Sequence, residues 1–108
     1  MYKTIEELAG VLQASRDKPI LILKHSRTCP ISARAKARVD AFLGRRSDLE
    51  AYLVVVQDQR KVSDELAQAL GVGHQSPQVL AVRQGKAEKA LSHYQITEES
   101  LALCFGDS

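Results

Sequence analysis

Cysteine is scarce in this chain: Cys29 and Cys104 are the only two among its 108 residues. Two thiols close at most one disulfide, whereas a small secreted scaffold usually needs several, so the pair is expected to rest reduced in the cytoplasm. Histidine is scarce as well, at three, and without a C-x-x-C pair the chain offers none of the ligand spacings of a structural zinc site. Charge of one sign is lacking: a formal net charge of +2 gives no basis for tracking phosphates, so nucleic acid is not an expected partner. No apolar run approaches the roughly 20 residues of a membrane span. Glu6 and Glu7 fall where a signal peptide would need its apolar core, so neither membrane nor export is expected. Repeats, linkers and low-complexity stretches are missing too. With 44% hydrophobic and 26% charged residues, the chain can pack a core, and its length fits one monomeric domain over 1–108.

Thr4 and Glu7 have capping-box spacing, and Ile5, Leu8, Ala9 and Leu12 recur on one face, which predicts a helix over 4–14. "ILIL" at 20–23 is a continuous apolar run, as in a strand covered on both faces. Ile31, Ala35, Val39 and Phe42 then form a helical stripe that ends near Gly44. "AYLVVVQ" at 51–57 reads as a second buried strand, parallel to the first because a helical crossover joins them. Ser63 is placed to cap a helix carrying Asp64, Glu65, Leu66 and Leu70 before Gly71. "QVLAVRQGKAEKAL" predicts an antiparallel hairpin turning at Gly85. Thr97, followed by Glu98 and Glu99, caps a last helix, with Ile96 and Leu101 at the positions of a hydrophobic staple. This order is that of an α/β thioredoxin-like fold, a central four-stranded mixed sheet flanked by helices.

Within that frame one segment carries chemistry: "HSRTCPISARAK" at 25–36, where strand gives way to helix. Pro30 suits the first helical position because its missing N–H would be unpaired there anyway. Cys29 then sits at the helix mouth, where unpaired N–H groups and the dipole favour an anion, the setting in which thiols become nucleophiles. Arg27, Arg34 and Lys36 lie close in sequence and can steer an anionic partner. The competing reading of a lone intracellular cysteine is a small buried hydrophobe, and helix-mouth placement weighs against it. Cys104, among Leu101, Leu103 and Phe105, reads instead as a core or half-buried thiol. Ser76-Pro77 opens a strand, a position that tolerates proline with either peptide isomer.

Taken together, "KHSRTCPIS" at 24–32, "GVGHQSPQVL" at 71–80 and "SHYQIT" at 92–97 resemble the monothiol bacilliredoxin family of the bacillithiol system. The resemblance spans nearly the whole chain and implies a thioredoxin-like fold without a tightly bound cofactor, with bacillithiol as co-substrate. It implies that Cys29 is the nucleophile that takes bacillithiol from protein mixed disulfides, flanked by Thr28, Pro30 and Ser32. Pro77 would be the cis-proline beside the thiol, and Ser76 would offer backbone hydrogen bonds to the substrate. Bacillithiol carries a malate moiety, so Arg27 or Arg34, one rather than both, would pair with its carboxylates. His25, His74 and His93 fall inside the matching segments, and His25 and His74 are secondary candidates for proton handling. Ser32 stands where dithiol relatives carry a resolving cysteine. The expected partners are bacillithiolated proteins, bacillithiol and a reductase that recycles it. Two other readings compete: a thioredoxin-like binding or redox-sensing module without catalysis, and an iron–sulfur carrier like the monothiol glutaredoxins. The last fits least, because Pro30-Ile31 replaces the small residue of their C-G-F-S pattern.

Overall fold

The computed structural model describes residues 1–106. Its elements are β1 (Tyr2–Thr4), α1 (Leu8–Ala14), β2 (Ile20–His25), α2 (Pro30–Gly44), β3 (Glu50–Val55), α3 (Arg60–Leu70), β4 (Gln78–Arg83), β5 (Lys86–Ser92), a 3-10 turn (His93–Gln95) and α4 (Glu98–Phe105). The strands form one sheet in the order β1-β3-β2-β4-β5. β1 and β2 run parallel to β3, and β4 runs antiparallel to both β2 and β5. The thioredoxin-like architecture predicted from the element order is therefore present, with five strands rather than four.

β2 lies in the middle of this sheet, which explains its continuous apolar run. Leu21 and Leu23 join one core cluster with Val39 and Phe42 of α2 and Leu101 and Phe105 of α4. Ile20 and Ile22 join another with Val11 of α1 and Leu66 of α3. These four β2 side chains are fully buried, because a central strand with helices on both faces has no wet side. β5 is the opposite case: its edge carries exposed Lys86, Glu88 and Lys89, charges that discourage pairing with another chain.

Two sequence expectations are corrected here. Thr4 is not the start of the first helix but the end of the edge strand β1, which lies in register with Ala51–Leu53. Tyr2 donates its hydroxyl to Asp40 at 2.6 Å and Lys3 its ammonium to Glu50 at 3.0 Å, long-range contacts that override the local Thr4–Glu7 capping pattern. α1 begins at Leu8 behind Glu7, without a side-chain cap. Ser63 is likewise no cap: α3 begins three residues earlier, and Ser63 is buried in its interior. The hairpin turn is as expected, with Gln84 (φ 55°) and Gly85 (φ 72°) both left-handed, the signature of a two-residue turn matched to strand twist. Thr97 caps α4 by accepting from the Ser100 N–H, and the staple pair Ile96 and Leu101 is fully buried.

Candidate active site

α2 starts at Pro30, and Cys29 is its N-cap residue in extended conformation (φ −102°, ψ 118°). The Cys29 carbonyl accepts the first helical bond, from Ala33 N–H at 3.1 Å. Its side chain makes no capping bond, so the half-buried sulfur stays uncommitted at the end of a helix whose first N–H groups lack intrahelical partners. Three residues on, Ser32 is fully buried. Its Oγ accepts the Ser26 N–H at 3.0 Å and lies 2.8 Å from His25 Nδ1. The Ser32 hydroxyl and His25 Nδ1 thus share one hydrogen bond, beside the one that the Ser26 N–H donates to the same oxygen. Burial, and next the Lys36 charge, lower the His25 pKa and favour the neutral imidazole.

The approach to the cysteine is tied down from β3. Because β2 and β3 are parallel with His25 opposite Val55, the residues just past both strands meet. Gln57 accepts from Arg27 N–H at 3.2 Å and donates to Ser26 Oγ at 2.8 Å and Thr28 Oγ1 at 3.3 Å. Asp58 takes the Arg27 guanidinium. Of the two candidate arginines, Arg27 is thus engaged, whereas Arg34 is exposed and forms no ion pair among the described residues.

Lys24 pairs with Gln78 across the antiparallel β2–β4 ladder, so the residue before Gln78, Pro77, lies at the same sheet end as Cys29. The Ser76–Pro77 bond is cis. The Pro77 carbonyl accepts from His93 N–H at 3.0 Å, while the Ser76 peptide groups make no backbone bond among the described residues. His74 is drawn to α3, with Nδ1 3.2 Å from Ser63 Oγ, where it lines a pocket of about 130 Å³ with Arg60 and Asp64. Burial, and next the Lys24 charge, lower its pKa. The sequence candidates therefore divide: Thr28, Cys29, Pro30, Ser32 and His25 form one group, Ser76 and Pro77 flank its sheet end, and His74 belongs to the α3 side.

Sequence reasoning missed Gln57, Asp58 and Lys24. The first two were findable from the parallel strand pairing, which sets the residues after one strand beside those after the other. Lys24 was masked by its charge: it is fully buried, donating from Nζ to the Ser63 carbonyl at 3.3 Å, and burial lowers its pKa although Asp64 opposes the shift. Cys104 is half-buried and free, and burial raises its pKa. Its neighbour Phe105 offers its carbonyl to Arg46 at 3.0 Å, just beyond the C-terminal end of α2, whereas Cys29 precedes the other end. α2 has 15 residues, which at about 1.5 Å each separates those ends by roughly 22 Å, far beyond the ~7 Å limit between Cα atoms of a disulfide.

Among the described residues no group of three or more His, Cys, Asp or Glu is arranged to hold a metal ion, and no helix is long and apolar enough to cross a membrane. A family model described as monothiol bacilliredoxin BrxC matches residues 2–101. A solved structure provisionally described as an oxidoreductase with a thioredoxin fold is 33% identical, with 94% of this chain and 90% of that chain covered and a TM-score of 0.83. Thioredoxin from Fasciola hepatica is 15% identical, covers 93% of this chain and 89% of its own, and superposes with a TM-score of 0.73. Thioredoxin f2 from Chlamydomonas reinhardtii is 13% identical over 95% and 93%, with a TM-score of 0.72. The last two likenesses are of fold alone.

Proposed function

The chain belongs to the monothiol bacilliredoxin family and is a thiol–disulfide oxidoreductase of thioredoxin fold, and from that premise we propose that it removes bacillithiol from protein mixed disulfides through Cys29. The observation that carries this reading is Ser32, a buried hydroxyl held by two hydrogen bonds at the place where a resolving thiol would stand. The Cys29 thiolate attacks the bacillithiol sulfur of the mixed disulfide. The bond to the target breaks as the Cys29–bacillithiol bond forms, and the target leaves as a thiolate that takes up a proton. A second bacillithiol thiolate then attacks the bacillithiol sulfur on Cys29, freeing the enzyme and yielding oxidised bacillithiol for a partner reductase.

Arg34 is the arginine we assign to the malate carboxylates, by bidentate pairing. It lies one turn before Arg38 on the same α2 face, and Arg38 reaches the Ile96 carbonyl at 3.2 Å. The free peptide groups of Ser76 receive the target backbone beside Pro77. In this role the protein works as a cytoplasmic monomer, with bacillithiolated proteins and bacillithiol as partners and no resident cofactor. Intact-mass measurement after exposure to oxidised bacillithiol tests the reading: wild type and Cys104→Ser gain one bacillithiol, Cys29→Ser gains none and loses turnover of a bacillithiolated protein. A fully active Cys29→Ser variant would overturn it.

A further inference from the structure

Of the five tyrosine and phenylalanine residues in this chain, four are buried or half-buried and Tyr94 alone is placed in solvent, 69% exposed. It stands on the 3-10 turn between β5 and α4, and that turn is built rigidly. Ser92 and Gln95 close a capping box across it, with the Ser92 N–H donating to Gln95 Oε1 at 2.9 Å. Behind it Ile96 is fully buried, and its carbonyl is gripped by Arg38 at 3.2 Å. His93 is held at φ 52°, a left-handed backbone that histidine adopts at an energetic cost and that clusters at ligand-binding positions. With Gln75 these residues line an open groove of about 480 Å³, a size that suits a small molecule. The side chains of Gln75, His93 and Tyr94 make no hydrogen bond or ion pair among the described residues.

The groove also adjoins the Pro77 segment and α2. The His93 N–H holds the Pro77 carbonyl, the turn packs against α2, and Arg34 sits on the α2 face that Arg38 turns toward Ile96. A ligand seated against the Pro77 segment therefore meets the groove. Among the described residues no carboxylate and no lysine or arginine lines the groove. An exposed aromatic face flanked by an amide and an imidazole is suited to a neutral, hydroxylated ring, whose C–H side stacks on the tyrosine while its hydroxyls bond to the polar neighbours.

We propose that Gln75, His93 and Tyr94 form the subsite for the sugar ring of the small thiol, so that the protein selects bacillithiol by its sugar as well as by its carboxylates. This deepens the function proposed above and rests on it. The test compares one peptide carrying either bacillithiol or plain cysteine as its mixed disulfide. The ratio of the two kcat/KM values falls about five- to tenfold in Tyr94→Ala and less than about twofold in Tyr94→Phe, which keeps the ring. A Tyr94→Ala variant with an unchanged ratio overturns the subsite, whether both rates stay the same or both fall together, as they would if the target peptide occupied the groove. A second measurement does not depend on turnover: the thiol-free sugar–malate portion of bacillithiol is titrated into the Cys29→Ser protein and followed by amide NMR. Shifts at Gln75, His93 and Tyr94 support the subsite even where exchange fails, and no shifts there overturn it.

Discussion

Ser32 shows what one atom decides. A sulfur in place of its Oγ would stand one helical turn from Cys29, within reach of an internal disulfide as in dithiol relatives. The Ser32→Cys variant is expected to shed bound bacillithiol by internal attack, ending as a protein lighter by two hydrogens with one molecule of bacillithiol released. Mass spectrometry over time reads this directly, and a stable adduct in the variant would contradict it. The cost is the loss of the hydroxyl bonds to Ser26 and His25, about 1–2 kcal/mol of stability. The identity of Ser32 was legible in the sequence, but its partners were not. His25 lies seven positions away, and only the strand-to-helix turn folds it back onto the hydroxyl.

At the level of elements, local signals held where nothing distant competed with them. Thr97, Ile96 and Leu101 gave the start of α4 because cap and staple are contacts within one turn. The Thr4–Glu7 and Ser63 patterns misled because Tyr2 and Lys3 had partners on α2 and β3, and because α3 already begins at Arg60. Thr97→Ala is expected to lower stability by about 1 kcal/mol, seen as a shifted denaturant midpoint at constant slope. The loss should leave bacillithiol exchange at Cys29 intact, since among the described residues the Thr97 hydroxyl bonds only to Ser100 within its own turn. A larger fall in exchange rate than in stability would show that the cap does more than hold the helix.

Over the whole molecule, the sheet joins the N-terminal strand to the core through Glu50. Its carboxylate accepts from Tyr52 at 2.7 Å and Lys3 at 3.0 Å and lies 3.3 Å from Lys18, and with Tyr52 the largest cause its pKa falls to about 2. A folded value below the unfolded one stabilises the fold above roughly pH 4.5, and the contribution is lost as pH falls toward 2. Both lysines are more than half exposed, so screening holds it to about 1–2 kcal/mol. Glu50→Gln is therefore expected to be less stable than wild type at pH 7 by that amount and to match it near pH 2. Parallel stability curves across that range would refute the assignment. The lowered values of His25 and His74 act in a higher window, since the unfolded chain binds their protons more readily and stability declines as pH drops below about 6.5.

On the proposed function, the distance between the two thiols sets the order of the reaction. With Cys104 a helix length from Cys29, discharge of the adduct needs a collision with a second molecule, so the lifetime of charged Cys29 is inversely proportional to the concentration of free thiol. A dithiol enzyme discharges on its own clock. On the proposed function the charged fraction of Cys29 becomes a running readout of the thiol pool: low where free bacillithiol is plentiful, rising as the pool is depleted.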